Sequence, residues 1–439
     1  MTLRITVLGC GYLGTTHAAG MAELGFEVMG MDVDEDRVAT LAAGRAPLYE
    51  PHLEPMLRTH VDSGRLRFTT SYEEVAQFGD VHFLCIGTPQ KKGEYATDLR
   101  YQHGVVDGLS PHLDRPALVV GKSTVPVGTA AALRDRIQAA APAARDVDLV
   151  WNPEFLREGF AVHDTLHPDR IVLGTDSEPA VETMREVYAK TLADGTPLIV
   201  TDYQTAELVK AAANAFLATK ISFINAMSEL CEAAGANVDE LADALGHDER
   251  IGRKFLNAGI GFGGGCIPKD IRGLIARAGE LGVDQAVSFL KEVDAINMRQ
   301  RAHVVDLARA ALGGSLLGTR VAVLGAAFKP DTDDIRDSPA LNVAGQLHLQ
   351  GAEVSVYDPR ANDSARRIFP TLTYADSTLE ACQGADLVLH LTMWQEFLDA
   401  DPAEIGEVVN HRRVIDGRNA LDADRWRAAG WTYRALGRP

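Results

Sequence analysis

The sequence predicts an α/β protein with two α/β domains joined by a central helical region, and three observations carry that prediction. Short β-branched runs alternate with helical patterns over roughly the first 200 residues. The alternation lapses between about residues 201 and 310, where apolar positions recur at helical spacing with few breakers. It resumes at Thr319 and continues towards the C-terminus. Parallel strands joined by crossover helices produce this rhythm, so each flank reads as a Rossmann-like domain. The expected domains are residues 1–200, 201–310 and 311–439.

Taken in order, the strands expected in the first domain are Arg4 to Leu8, Val28 to Asp32, Val81 to Ile86, Ala117 to Val120 and Asp148 to Val150, with a further run at Arg170 to Gly174. The Ala-rich stretch Ala139 to Ala144 marks a helix end or loop. In the helical centre, Ala206, Val209, Ala213, Phe216 and Leu217 fall on one predicted face. The last domain opens with the strand Arg320 to Leu324, followed by Glu353 to Tyr357, Leu387 to Leu391 and Arg413 to Ile415. The two α/β halves are the only internal similarity.

Length and composition narrow the functional classes. A chain of 439 residues that is 46% hydrophobic can bury more than one core. Its 61 acidic and 43 basic side chains give a formal charge of −18, which opposes broad affinity for nucleic acid or anionic lipid. An anionic ligand must therefore meet a local basic pocket. Nothing near Met1 resembles a signal peptide, and no apolar stretch reaches the ~18 residues of a spanning helix, so a cytoplasmic protein is expected. Cys10, Cys85, Cys231, Cys266 and Cys382 lie far apart with no metal-knuckle spacing, so neither a disulfide framework nor a metal site is expected.

Two local patterns carry chemistry. The first strand runs into Gly9-Cys10-Gly11-Tyr12-Leu13-Gly14, a GxGxxG opening a plausible helix. The glycines allow a tight turn and close approach of a pyrophosphate, which the helix N-terminus would attract. Asp32 closes the next strand, where a carboxylate binds ribose hydroxyls and repels a 2′-phosphate, so NAD is expected over NADP. The alternative is a plain tight turn, with Asp32 capping the following helix. The second pattern is Gly261-Phe262-Gly263-Gly264-Gly265-Cys266-Ile267-Pro268-Lys269-Asp270. Pro268 suits the first turn of a helix, placing Cys266 at an N-terminus where the dipole and Lys269 favour thiolate. A lone cysteine in a capping loop is more often structural, so the chemical reading needs support from elsewhere in the chain.

That support comes from motif order. Ile86-Gly87-Thr88-Pro89, Lys122-Ser123-Thr124-Val125-Pro126-Val127-Gly128-Thr129, Asn152-Pro153-Glu154-Phe155-Leu156-Arg157-Glu158-Gly159, Pro168-Asp169-Arg170-Ile171-Val172 and Phe328-Lys329-Pro330-Asp331-Thr332 join the two patterns. Lys210 and Asn214, four apart on a predicted helix, complete the set. Nearly end to end, the sequence resembles the UDP-glucose/GDP-mannose dehydrogenase family. The run Arg250-Ile251-Gly252 and Lys254-Phe255-Leu256 before the glycine loop is most similar to its UDP-glucose-oxidising members. The position before Cys266, commonly serine in that family, is Gly265 here.

The resemblance implies four-electron oxidation of a nucleotide-sugar C6 alcohol to the uronate through a Cys266 thiohemiacetal and thioester. It implies that Lys210 and Asn214 stabilise oxyanion charge, that Asp270 with Thr124 acts as base or holds a water, and that Glu154 assists thioester hydrolysis. It places NAD against Gly9, Gly11, Tyr12, Leu13, Gly14, Asp32, Arg37, Thr88, Pro89, Thr124, Lys269 and Arg336. The sugar would meet Glu154, Phe155, Leu156, Arg157, Lys210 and Asn214. The nucleotide would meet Lys254, Phe255, Gly261, Phe328, Lys329 and Arg418. A homodimer is expected from the apolar residues around Phe216 and Phe223, with Arg250 reaching the partner's site.

Alternatives remain open from sequence. A two-electron hydroxyacid or 6-phosphogluconate type of dehydrogenase would share the first domain and helical centre without needing the cysteine loop. A dTDP-glucose, GDP-mannose or UDP-N-acetylmannosamine dehydrogenase would keep the chemistry and change the ligand, and one methyl in a pocket is worth only ~1–3 kcal/mol. A non-enzymatic nucleotide-binding regulator would lack the joint presence of Cys266, Lys210, Asp270 and Glu154.

Overall fold

The computed structural model describes residues 3–438. The chain divides into two compact units, one built from Met1–Ala213 with Arg272–Gly282, the other from Asn214–Ile271 with Val283–Pro439. Among the described residues, the first unit holds an eight-stranded sheet. Across the sheet the strands run Leu66–Thr69, Glu27–Met31, Arg4–Leu8, Val81–Leu84, Ala117–Gly121, Val147–Trp151, Ile171–Gly174 and Leu198–Thr201. Pairing is parallel except where Trp151 meets Gly174 antiparallel.

The order of the first six strands is that of a doubly wound fold, with its switch point between Arg4–Leu8 and Val81–Leu84, where such folds bind ligands at the strand C-termini. Both faces of the sheet are covered. Ile5, Val7, Phe83 and Val120 pack into one apolar cluster, while Leu8, Leu84, Val119 and Trp151 pack into another on the opposite side. Coverage on two faces is why these strands read as continuous apolar runs rather than as alternation.

Among the described residues, the second unit holds six strands in the order Thr373–Tyr374, Glu353–Tyr357, Arg320–Leu324, Leu387–His390, Arg413–Asp416 and Thr432–Ala435, all parallel. Both sheets are thus Rossmann-like, and the helices Tyr203–Ala234, Val238–Gly246, Ile267–Glu280 and Phe289–Ala311 supply the helical centre. No helix among the described residues is long and apolar enough to cross a membrane.

One expectation is overturned. Phe216 shares no buried face with Ala206: Ala206 is fully buried, whereas Phe216 is 67% exposed. The inward face of Tyr203–Ala234 instead sets Glu207, Lys210, Asn214, Ser222, Asn225 and Ser228 among buried Ala206, Ala211, Ala215, Ala218, Ile224 and Cys231. Phe216, Phe223 and Leu230 recur every seven residues on the outside, all exposed. The buried face is mixed rather than apolar because its polar groups meet backbone and charged partners. Glu207, for example, accepts the Gly128 and Ala130 N–H groups at 2.7 and 2.6 Å.

Candidate functional site

At the switch point of the first sheet, Gly9 holds φ +88° and passes the chain into the helix Tyr12–Glu23. A Cβ on Gly14 would lie 1.8 Å from the Gly9 carbonyl oxygen, so the helix meets the strand end at backbone contact. A Cβ on Gly11 would meet nothing within 4 Å, which leaves open space beside the first-turn amides for a pyrophosphate. Asp32 is buried and accepts the Cys10 N–H at 2.8 Å, while Arg37 pairs with it at 3.0 Å. The following helix is capped by Asp34, which rules out the capping role for Asp32. Thr88 is buried and its hydroxyl donates to the Thr124 carbonyl at 2.8 Å, fixing two of the expected cofactor loops to each other, with Pro89 exposed beside them. These residues fit a dinucleotide with free ribose hydroxyls.

Still in the first unit, Asn152 to Gly159 follows the strand Val147–Trp151. Asn152 is anchored by Lys122 at 3.0 Å and by the Tyr188 hydroxyl at 2.7 Å. Glu154 accepts the Leu156 N–H at 2.6 Å and lies 3.3 Å from the Lys210 ammonium, both side chains nearly buried. The Phe155 ring stacks under the Arg170 guanidinium at 3.6 Å, with Lys210 5.6 Å from its centroid. Arg157 grips Asp164 through Nε and Nη2 at 2.9 and 2.7 Å. A cleft is lined by Lys122, Glu154, Phe155, Leu156, Arg170 and His17. Burial, reinforced by the Lys122 cation, holds His17 well below its ordinary range, so its ring is neutral.

In the second unit the glycine loop is threaded between the helix Phe289–Ala311 and the segment 328–337. Asn297 brackets Phe262, accepting its N–H at 2.7 Å and donating to its carbonyl at 3.0 Å. Arg301, almost fully buried, donates to the same carbonyl at 3.0 Å and to Asp337 at 2.8 Å. A Cβ on Gly263 would stand 2.3 Å from the Asp337 carbonyl oxygen, and one on Gly264 would stand 2.8 Å from the Phe328 ring. One on Gly265 would overlap the Arg336 guanidinium at 2.2 Å. The loop delivers Cys266, exposed, immediately before the helix Ile267–Glu280. The other four cysteines are buried, and burial pushes their thiols up, Cys85 and Cys382 to about 12. One turn into that helix, Asp270 is buried, accepting the Asn214 amide at 2.6 Å and pairing with Lys269 at 2.5 Å.

The expected nucleotide residues of this unit divide into two kinds. Arg418 binds backbone: its guanidinium donates to the carbonyls of Leu391, Gly261 and Phe328 at 2.8, 2.9 and 3.1 Å. Burial, with the nearby Arg301 cation, pulls Arg418 down to about 10, still charged at neutral pH. Lys254 and Phe255 are exposed, and Phe255 holds a left-handed φ of +67°, a strained backbone for an aromatic residue. Lys329 lies 5.6 Å from the Phe328 ring centroid. Arg250 is exposed and pairs with its neighbour Asp248 at 2.6 Å. Sequence reasoning singled out neither Asn297 nor Arg301, because polar residues on an amphipathic helix read as its solvent face.

Comparison with known proteins places these features in one family. The NAD binding domain of the UDP-glucose/GDP-mannose dehydrogenase family matches residues 3–192, its central domain residues 204–299, and its UDP binding domain residues 322–423. The UDP-glucose 6-dehydrogenase of Rhizobium meliloti is 40% identical over 439 residues, covering all of both chains. A UDP-glucose 6-dehydrogenase of Bacillus subtilis is 39% identical, covering 99% of this chain and 98% of its own. The structure of a UDP-glucose dehydrogenase from Pyrobaculum islandicum is 36% identical with a TM-score of 0.92, covering 100% of this chain and 98% of that one. The chain belongs to the UDP-glucose/GDP-mannose dehydrogenase family and is an NAD-dependent oxidoreductase of nucleotide sugars.

Proposed function

We propose that the chain oxidises the C6 alcohol of UDP-glucose to the uronate, with Cys266 as covalent nucleophile. One observation carries this reading: the single exposed thiol among five stands at the N-terminus of the helix Ile267–Glu280, and one turn later the buried Asp270 carboxylate is held by Asn214 and Lys269. The helix dipole and Lys269 favour the thiolate. Bound NAD supplies the hydride acceptor for each of the two oxidations.

Lys210 and Asn214, one turn apart on Tyr203–Ala234, stabilise negative charge on the C6 oxygen. The proton leaving the alcohol passes to the Asp270 carboxylate through a water, for which the family resemblance assigns Thr124 a holding role. The Cys266 sulfur adds to the aldehyde carbon, and loss of the second hydride turns the thiohemiacetal into a thioester. Glu154 takes a proton from the water that displaces the thiol, giving the carboxylate and free Cys266. Phe155, Leu156 and Arg157 line the sugar, and Lys254, Phe255, Gly261, Phe328 and Lys329 hold the nucleotide. Arg418, by its three carbonyl bonds, supports the reading as the residue that fixes the Gly261 and Phe328 loops. NAD is held by Gly9, Gly11, Tyr12, Leu13, Gly14, Asp32, Arg37, Thr88, Pro89, Thr124, Lys269 and Arg336. The exposed stripe of Phe216, Phe223 and Leu230 pairs two copies, and Arg250 completes the partner copy's site.

The test is stoichiometric and covalent. UDP-glucose is expected to yield two NADH per uronate, in preference to dTDP- and GDP-linked sugars. Glu154→Gln quenched during turnover is expected to show sugar nucleotide attached at Cys266 by intact-mass spectrometry. One NADH per stable aldehyde or ketone, or wild-type uronate production by Cys266→Ala, overturns the reading.

A further inference from the structure

Glu50 belongs to none of the motifs, yet it is only 5% exposed, and its carboxylate joins two of them within the first unit. One oxygen accepts the Ala161 N–H at 2.7 Å, and the other accepts the Gly159 N–H at 2.7 Å together with the Tyr12 hydroxyl. The Gly159 N–H also points at the Tyr12 hydroxyl oxygen, 3.0 Å away. Tyr12 lies within the glycine fingerprint and is the first residue of the helix Tyr12–Glu23. Gly159 ends the Asn152 to Gly159 run with φ +80°, turning the chain into the helix Ala161–Leu166. The same two helices touch again where a Cβ on Gly20 would lie 2.4 Å from the Thr165 methyl.

The Tyr12 ring therefore leaves the dinucleotide turn and ends on the far end of the loop that carries Glu154. Between those points the loop has little slack, because Arg157 is clamped to Asp164 and the Leu156 N–H is bound by Glu154. Burial and the carboxylate hold the Tyr12 hydroxyl in its protonated, donating form. Burial likewise pushes Glu50 above its ordinary value, as befits a desolvated carboxylate that depends on these donors.

We propose that Tyr12 and Glu50 form a relay coupling occupation of the dinucleotide turn to the geometry of the sugar loop, so that cofactor and nucleotide sugar bind with positive cooperativity. The proposal rests on the assignment of Glu154 to Arg157 to the sugar. A phosphate seated on the first-turn amides beside Gly11 restrains the Tyr12 backbone, and the Tyr12 and Glu50 bonds pass that restraint to Gly159 and Ala161. What motion the loop keeps between these tethers is then quenched once for the two ligands rather than twice. Tyr12 and Glu50 are positioning residues here, acting through the loop rather than on the reacting atoms.

Titration calorimetry of the full chain with UDP-glucuronate, with and without saturating NADH, reads the coupling without turnover. The wild type is expected to bind the uronate at least about fivefold tighter when NADH is present, within the usual range of roughly 5–150-fold for coupled sites. Tyr12→Phe, which keeps the ring and removes the hydroxyl, is expected to bring that ratio to within about twofold of one. Glu50→Gln, which keeps an acceptor, should fall between. A purely structural role would lower melting temperature and both affinities while leaving the ratio intact. A wild-type ratio of one, or an unchanged ratio in Tyr12→Phe, overturns the relay. Phe155→Ala separates the failures: unchanged uronate affinity there refutes the sugar-loop assignment. Weakened affinity there, with an unchanged ratio in Tyr12→Phe, refutes the relay alone.

Discussion

Replacing Gly263 by alanine adds one methyl group at the point where the glycine loop touches backbone. That methyl would stand 2.3 Å from the Asp337 carbonyl oxygen and 2.7 Å from the Pro339 ring, so the loop or the Asp337 turn must move by most of an ångström. Asp337 cannot yield freely, since its carboxylate is held by the buried Arg301 and its own φ is already +46°. Overpacking of this kind costs roughly 1–3 kcal/mol, offset by about 0.4–1 kcal/mol from the stiffer unfolded chain. The net loss is on the order of 1–2 kcal/mol, or about 2–8 °C in melting temperature for a unit of this size. Because Cys266 lies three residues on, a displacement near 1 Å should also lower kcat by about a hundredfold. Gly265→Ala is the matched control. Its methyl would meet the guanidinium of the exposed Arg336, a side-chain end that can shift although Asp334 holds it, rather than backbone, so the melting temperature should stay within about 1 °C. Scanning calorimetry and the NADH absorbance assay read both effects. Wild-type stability and kcat in Gly263→Ala, or an equal loss of stability in Gly265→Ala, would refute the account of the loop.

Other perturbations follow from single contacts. Asp32→Asn removes the carboxylate that accepts the Cys10 N–H and repels a 2′-phosphate, so kcat/KM for NAD should fall about tenfold while that for NADP rises; an unchanged preference sinks the assignment. Phe216→Asp with Phe223→Asp should convert a dimer to monomer in sedimentation equilibrium, and an unaltered mass would exclude this stripe as the interface. The hydrogen bond to Glu232 at 2.8 Å raises His303 above 6.5. Burial pushes Glu232 up, but His303 and the Gly437 N–H bring it below 4.5 overall. The His303 contribution is complete below 6.5 and is lost as pH rises through its raised folded value. The Glu232 contribution is present above 4.5 and is lost on acidification. The deficit of His303→Gln in melting temperature should therefore peak near about pH 5.5 and shrink by about pH 9, and a deficit constant across that range would remove the ion pair from the account.

The interiors of both sheets were legible because strands covered on two faces carry uninterrupted β-branched runs. Their edges were not. Leu66–Thr69, Leu198–Thr201, Thr373–Tyr374 and Thr432–Ala435 are short and partly exposed, and Ile199 and Val200 are both nearly half exposed, so neither periodicity nor burial marks them. Cys266 and the fingerprint glycines announced themselves through fixed spacing around a turn. Glu50 could not, because its partners lie 38, 109 and 111 residues away and its neighbours have no period. Asn297 and Arg301 were concealed by the assumption that polar residues on a helix face water. The same assumption misplaced Phe216.

The helix Tyr203–Ala234 contains neither glycine nor proline in its 32 residues. Lys210 and Asn214 are buried on it, while Phe216, Phe223 and Leu230 are exposed. Inserting or deleting one residue between Asn214 and Phe216 would swing one set of side chains about 100° against the other, at 3.6 residues per turn. Length variation among relatives should therefore be absent from this segment even where its exposed residues drift freely. An evolving or engineered variant can change the chemistry of either face, but it cannot change their phase.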